Sequence, residues 1–104
     1  MNTQSTITVE LQAVEVRFFS GGDESAFFGW LRSLPCVERF EGRGRILHIW
    51  VNANRVDEDA LRELLALFHR YGVDLSQLAA FDRDDFAGWF HRENAYWHQA
   101  IFGK

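Results

Sequence analysis

Four histidines and one cysteine are the side chains in this sequence best suited to carry chemistry. The histidines are His48, His69, His91 and His98. His91 and His98 are seven residues apart, which on a straight helix separates them by about 10 Å, too far to share one metal ion. No pair of His or Cys residues has the spacing of zinc ligands. The sequence therefore predicts no metal site and no cofactor.

Cys36 could serve as a nucleophile only beside a base that lowers its pKa. It follows Pro35 at the start of a predicted strand, where a small buried residue is expected. The carboxylates at 57–59 and around Asp84 fall in the first turns of predicted helices, where N-capping and the helix dipole account for them. We therefore predict no catalytic residues and favour a non-enzymatic function.

The segment 39–45 is the one basic patch of the chain. Arg43 and Trp50 fit the aromatic motif of RNA-recognition domains. Arg45 and Leu47, however, occupy the two positions where that motif needs aromatic rings for base stacking. A solvated hairpin turn is the preferred interpretation, and the net charge of -4 also argues against a nucleic-acid partner.

Length and composition favour one soluble domain spanning residues 1–104. The chain has 104 residues, of which 47% are hydrophobic and 25% charged, and ten of its eleven basic residues are arginines, an excess typical of GC-rich bacterial genomes. With one cysteine it forms no internal disulfide, as expected in a reducing cytoplasm. No secretory signal or membrane-spanning run is present, so we predict a cytoplasmic protein with no membrane partner.

Alternating apolar residues predict a first strand from about residue 7 to 18. The apolar positions are Val9, Leu11 and Ala13, followed in the opposite phase by Val14, Val16 and Phe18. A bulge at the change of phase would explain the slip. The alternative is a strand that is buried first on one side and then covered on the other. Two further strands, 36–40 and 46–51, flank a glycine-containing turn and predict a hairpin.

Helical spacing predicts two long helices. The first is expected to begin with Asp23 as N-cap and to end before Pro35. The second has Asp57 as N-cap and Gly72 after its last residue. Its buried stripe consists of Leu61, Leu64, Leu65 and Phe68.

These elements give the order β-α-β-β-α-(β), which predicts an α+β domain with a ferredoxin-like or related core at 7–81. Residues 78–81 could form the fourth strand or a helical turn. Residues 82–103 form an aromatic-rich helical extension, either one bent helix or two helices capped by Asp82 and Asn94.

The extension holds more aromatic residues than one buried stripe can use. Between Phe81 and Phe102 lie seven of the sixteen aromatic residues of the chain. One stripe, consisting of Phe86, Phe90, Trp97 and Ile101, is expected to pack on the core. Trp89, Tyr96 and Phe102 fall off that stripe and are predicted to bind a partner.

Two functions from different classes follow from these patterns. The preferred one is a small cytoplasmic protein that binds another protein or a second copy of itself, in the manner of toxin immunity proteins and phage-encoded inhibitors. The alternative is a small-molecule-binding or enzymatic domain with a pocket between the sheet and the C-terminal helices. His48, Trp50 and His98 would line that pocket.

Overall fold

A three-stranded antiparallel sheet forms one layer of the protein. The computed structural model describes residues 7–103, and within them the strands are β1 (Thr8–Val14), β2 (Val37–Arg43) and β3 (Ile46–Asn52). β3 lies in the centre, between β1 and β2. In β1 and β3 the odd-numbered side chains, such as Leu11 and Ile49, point into the core, and the even-numbered ones face outward.

The change of phase after Ala13 marks the end of β1 and not a bulge. The register of β1 with β3 runs without interruption from Thr8 to Val14. Glu15 then adopts a left-handed backbone conformation with φ of 54°, which turns the chain out of the strand. The bulge of this sheet lies in β2, between Val37 and Arg39.

The hairpin predicted between β2 and β3 is confirmed, with a turn of two residues. Arg43 pairs with Ile46, so Gly44 and Arg45 form the loop. Gly44 has φ of 60°, which glycine adopts at little cost. A glycine at the first loop position is typical of the turns that match the twist of a hairpin.

The first helix, α1 (Gly21–Ser33), begins earlier than the sequence suggests. Its N-cap is Ser20, whose Oγ accepts the backbone N–H of Asp23 at 3.0 Å. The prediction that Asp23 is the cap was therefore wrong. The Asp23 carboxylate instead accepts the backbone N–H of Phe19 at 3.0 Å, so the two residues brace the first turn from both sides.

The second helix, α2 (Glu58–Tyr71), confirms the prediction at both ends. The Asp57 carboxylate accepts the N–H of Ala60 at 2.8 Å, and Gly72 ends the helix with φ of 69°. Both features satisfy backbone groups that a helix leaves unpaired at its termini. The predicted stripe, consisting of Leu61, Leu64, Leu65 and Phe68, is completely buried.

No fourth strand forms between residues 7 and 103. Leu75–Phe81 is a 3₁₀ segment, so the ferredoxin-like order is realised only as far as α2. The segment nevertheless reaches the free edge of β1. The Gln12 N–H donates to Gln77 Oε1 at 2.7 Å, and Gln77 Nε2 donates to the Gln12 carbonyl at 2.9 Å.

Gln77 thus takes the place of one residue of a neighbouring strand. Ala53 N–H donates to the Ile7 carbonyl and Glu15 N–H to the Arg45 carbonyl. Because hydrogen-bonded positions alternate in an antiparallel ladder, the odd-numbered residues of β1 bond to β3. The even-numbered residues, Gln12 among them, direct their backbone groups to the free edge.

The C-terminal extension consists of two short helices. After a 3₁₀ turn at Asp84–Phe86 come α3 (Ala87–Phe90) and α4 (His98–Phe102). Neither Asp82 nor Asn94 caps a helix, contrary to the sequence-based expectation, because α3 and α4 begin at later residues without a side-chain cap.

One hydrophobic core joins the extension to the rest of the chain. Phe86, Phe90 and Trp97 are buried as predicted, in the same cluster as the leucines of α2, and Ile101 packs on it half-buried. The protein is thus a single α+β domain with its helices on one side of the sheet. Within residues 7–103, no helix is long and apolar enough to cross a membrane.

Candidate binding surface

Phe19 is the most exposed large hydrophobic residue that the structure describes. It lies between β1 and α1, and 84% of its surface is accessible to solvent. Its backbone is fixed nevertheless, because its N–H donates to the Asp23 carboxylate. Phe18 beside it turns inward and contacts the Phe27 ring at 5.3 Å between centroids. The ring of Phe19 therefore projects from a well-anchored backbone.

Tyr71 and Arg70, at the end of α2, form the wall next to Phe19. The Tyr71 ring packs edge-on against Phe27 at 4.9 Å. Burial raises the pKa of the Tyr71 hydroxyl, and the charge of Asp23 together with a hydrogen bond to it acts in the same direction. A groove of about 360 Å³ separates Phe19 from this wall, with Arg70 and Asp23 at its sides.

Tyr96 is the second exposed aromatic residue on the helical side of the protein. Half of its surface is accessible, and its ring lies 4.5 Å from His69 and 4.8 Å, edge-on, from Trp97. Burial of its inner part raises the pKa of the Tyr96 hydroxyl, which a nearby Arg62 partly opposes. A groove of about 490 Å³ runs from Tyr96 to Trp30 and Arg70.

Arg70 lines both grooves, so the two exposed rings belong to one surface. We name this surface the aromatic–arginine face, and it consists of Phe19, Trp30, Arg70, Tyr71 and Tyr96. The Trp30 indole N–H of this face donates to Glu63 at 2.8 Å, which holds the indole in place. Within residues 7–103, Arg70 forms no ion pair.

Of the three predicted partner-binding residues, Tyr96 is the exposed one. Trp89 is half-buried and lies under the Arg62 guanidinium, 4.1 Å from its ring. Its indole N–H is buried and has no hydrogen-bond partner among the described residues. Phe102 is also half-buried and stacks on the His91 ring at 4.1 Å.

The residues of the alternative pocket lie in two places. His48 and Trp50 stack on each other at 5.9 Å on the outer face of the sheet. His98 begins α4, which packs against the 3₁₀ segment at 75–81. Within residues 7–103, no hydrogen bond or ring contact joins His98 to the other two.

The outer face of the sheet carries a closed network of charges. His48 Nδ1 bonds to the Glu10 carboxylate, and this bond is the main cause of the lowered pKa of Glu10. The Arg39 guanidinium covers the Trp50 ring at 3.8 Å.

The Glu41 carboxylate joins this network from β2. It pairs with Arg39 at 3.4 Å and with Arg43 at 3.0 Å, and the Arg43 contacts lower the pKa of Glu41 most strongly. The cations of this face are therefore already matched by carboxylates.

On the outer face of the sheet, the described residues present no free aromatic ring on which an RNA base could stack. Arg45 lies in the hairpin turn, and Leu47 points toward the helices. Trp50, which does face outward, is covered by Arg39. The positions that would have to present free rings to bases do not do so.

Two histidine–carboxylate pairs are the nearest approach to catalytic geometry. Besides the His48–Glu10 pair, His91 Nε2 contacts Asp82 at 2.8 Å. Within residues 7–103, neither pair contacts a hydroxyl or thiol side chain. Cys36 is completely buried, and burial raises the pKa of its thiol, which makes it a poor nucleophile. Among these residues no group of three or more potential ligands could hold a metal ion.

Phe19 and Arg70 are the residues that sequence analysis missed. In the sequence Phe19 follows the apolar alternation of the first strand and precedes Ser20, so its spacing does not distinguish a core residue from an exposed one. Arg70 is indistinguishable from any basic residue in the last turn of a helix. The turn of the chain at Glu15 decides which phenylalanine faces the core.

Comparison of this chain with protein-family models, with curated proteins and with solved structures finds no match.

Proposed function

We propose that this protein is a small, non-enzymatic protein-binding module, of the immunity- or inhibitor-like adaptor class, and that it binds its partner through the aromatic–arginine face. The observation that carries the proposal is the exposure of Phe19 and Tyr96 on either side of Arg70. Aromatic and arginine side chains are enriched in the energetic centres of protein interfaces. The Tyr96 ring already packs against His69 and Trp97, so it loses little side-chain entropy on binding.

The charge of the face indicates the chemistry of the partner. Arg70 and the neighbouring Arg17 carry no ion pair within residues 7–103, whereas Asp23 and Glu63 are engaged by hydrogen bonds. These hydrogen bonds leave the charges of both carboxylates in place, so on this chain of net charge -4 the face is not basic overall, but its two arginines have no ion-pair partner among the described residues. An acidic protein surface with an apolar recess for the Phe19 ring complements it best.

The outer face of the sheet is the competing candidate for the partner-binding surface. The contacts between its own side chains disfavour it. A partner there would have to displace Arg39 from Trp50 or separate Glu41 from Arg43. The aromatic–arginine face requires no such exchange, because 84% of the Phe19 surface is already accessible to solvent.

A different protein is favoured over a second copy of this chain. In a two-fold symmetric dimer the same surface patch meets itself, which would bring Arg70 of both copies into one interface. Each Arg70 would then need a carboxylate from the same patch, and the two there, Asp23 and Glu63, already accept hydrogen bonds.

We further propose that the domain is related to the ferredoxin-like fold and that the protein is cytoplasmic. The β-α-β-β-α order and the central position of β3 support a relation to the ferredoxin-like fold. The single, buried and unpaired Cys36 supports a reducing, cytoplasmic location. Nucleic acid is not a proposed partner.

Affinity capture from a lysate of the source organism tests the proposal through its variants. Wild-type protein is expected to retain a partner that Phe19→Ser and Arg70→Glu each lose, with affinity reduced at least about thirtyfold for a residue at the centre of an interface. Quantification of the captured protein by mass spectrometry gives the readout, and thermal unfolding confirms that each variant is folded.

Two matched controls are not among the residues of the aromatic–arginine face. Val14→Ser removes an apolar side chain that is 56% exposed on the sheet, and Arg92→Glu reverses an exposed arginine of the extension. Both are expected to retain the partner. Equal loss in the control and face variants, or retention by Phe19→Ser, would place the interface elsewhere. Concentration-dependent sedimentation of wild type, abolished by Phe19→Ser, would identify a second copy as the occupant.

A further inference from the structure

A groove of about 630 Å³ lies at the hairpin end of the sheet, under the first turns of α1. It exists because the sheet presents small residues to the helices at this end. Ala13 on β1 and Gly42 on β2 flank Leu47 of β3, and all three line the groove. A Cβ atom added to Gly42 would meet no other atom within 4 Å, so the space above the strand is open.

The walls of the groove are aromatic and incompletely covered. Phe27 is buried, whereas Phe18 and Phe28 are half-buried. Their ring centroids lie 5.0–6.0 Å apart. Val16 and Leu47 add further half-buried apolar surface. An apolar group placed here would remove this surface from water, which is favourable in proportion to the area covered.

The rim of the groove carries one unmatched positive charge. Arg45 is paired with Glu15 at 2.8 Å. Arg17 also lines the groove and forms no ion pair or hydrogen bond with its side chain within residues 7–103. A guanidinium group binds a carboxylate through two parallel hydrogen bonds.

We infer that this groove binds a small organic monoanion, a carboxylate carried on an alkyl or aryl group. The apolar part lies between Phe18, Phe28 and Leu47, and the carboxylate bonds to Arg17. The volume is within the range of about 300–1,000 Å³ that small-molecule sites occupy. A dianion such as a phosphate monoester is disfavoured, because the Glu15 carboxylate at the same rim repels the second charge.

This inference does not depend on the proposed protein partner. Arg17 also lines the groove beside Phe19 and Arg70. Gly42 lines neither that groove nor the one beside Tyr96, so Gly42→Leu changes the monoanion site alone. Loss of ligand binding and loss of partner binding can therefore be observed separately.

An NMR titration of isotope-labelled protein with sodium octanoate, below its micelle concentration, tests the site. Saturable shifts are expected at the backbone amides of Val16, Phe28 and Leu47. Octylammonium, which has the same tail and the opposite charge, is expected to produce no saturable shift there. A peptide with a C-terminal phenylalanine carboxylate is the third probe, and tighter binding of this peptide than of octanoate would overturn the assignment to a small free carboxylate.

Two variants separate the apolar and charged parts of the site. Gly42→Leu fills the groove and is expected to abolish the octanoate shifts. Arg17→Gln leaves the core intact and is expected to weaken octanoate binding about tenfold or more, whereas Arg92→Gln is expected to leave it unchanged. Unaltered affinity in Arg17→Gln, or octanoate shifts centred on another part of the protein, would refute the inference even if Gly42→Leu failed to fold.

Discussion

The helix α2 and the segment from Leu75 to Phe102 achieve burial in different ways. α2 is 14 residues long, with a side-chain cap at its start and a left-handed glycine at its end. The C-terminal segment contains no helix longer than seven residues, and α3 and α4 lack side-chain caps. Regular backbone hydrogen bonds organise the first region, and contacts between side chains organise the second.

Aromatic contacts replace helical regularity in the C-terminal segment. Trp97 donates its indole N–H to the Phe90 carbonyl at 2.7 Å and lies edge-on to Trp89 at 5.9 Å between centroids. Phe102 stacks on His91, whose imidazole is held by Asp82. The segment is therefore expected to depend on a few individual contacts, whereas α2 depends on a continuous apolar stripe.

The largest expected effect is the loss of a core side chain from α2. Phe68→Ala should lower the free energy of unfolding by about 3–5 kcal/mol, because it opens a cavity where a ring was completely buried. Urea denaturation followed by circular dichroism measures the change. Arg70→Ala, on the exposed side of the same helix, should change the free energy by no more than about 0.5 kcal/mol. Similar losses in both variants would show that the apolar stripe does not dominate the stability of α2.

A pair of tryptophan variants tests whether single contacts hold the extension. Trp97→Phe should lower the free energy of unfolding by about 1–3 kcal/mol, because the buried Phe90 carbonyl loses its donor. Trp89→Phe should leave it unchanged or raise it by up to about 1 kcal/mol, because the substitution removes a buried N–H without a partner.

Both tryptophan substitutions retain an aromatic ring, so the two variants differ in the hydrogen bond of the indole, in the depth of its burial and in the Arg62 contact of Trp89. Chemical denaturation of the two variants side by side gives the comparison. A loss in Trp89→Phe as large as that in Trp97→Phe would mean that ring size, and not hydrogen bonding, controls the extension.

The smallest expected loss of stability concerns the attachment of the 3₁₀ segment at Leu75–Phe81 to the sheet. Gln77→Ala removes the amide that bonds both backbone groups of Gln12. A loss of about 1 kcal/mol is expected, since the freed groups lie at an exposed edge and can bond to water. Hydrogen exchange at the Gln12 amide should accelerate more than exchange at Leu11, which bonds to the central strand. Equal acceleration at both amides would show that the whole edge strand had loosened.

Helices and strands whose apolar periodicity, caps and turn residues lie close together in the sequence were predicted correctly. The leucine stripe of α2, its Asp57 cap and Gly72 are all visible in the sequence and confirmed. The β2–β3 hairpin was predicted for the same reason, because its glycine and the flanking apolar alternation lie within a few residues of each other. The buried half of the C-terminal aromatics was also recognised from helical spacing.

Prediction failed where residue types alone did not distinguish between two possible structures. Residues 78–81 are apolar enough for a strand, but the edge of β1 receives the Gln77 side chain instead of a backbone. Ser20 caps α1 in place of Asp23, because the Asp23 carboxylate bonds back to Phe19. The equal aromatic character of Phe18 and Phe19 gave no indication of which one would be exposed.

The sequence by itself determined the α+β composition, the two long helices and the hairpin. These depend on interactions within a few residues, so periodicity and caps are enough to specify them. The tertiary structure alone decided that His98 lies apart from His48, that Phe19 and Tyr96 share a face with Arg70, and that Ala13 and Gly42 leave a groove under α1. Each of these depends on which elements pack side by side, and that is set by contacts between residues far apart in the chain.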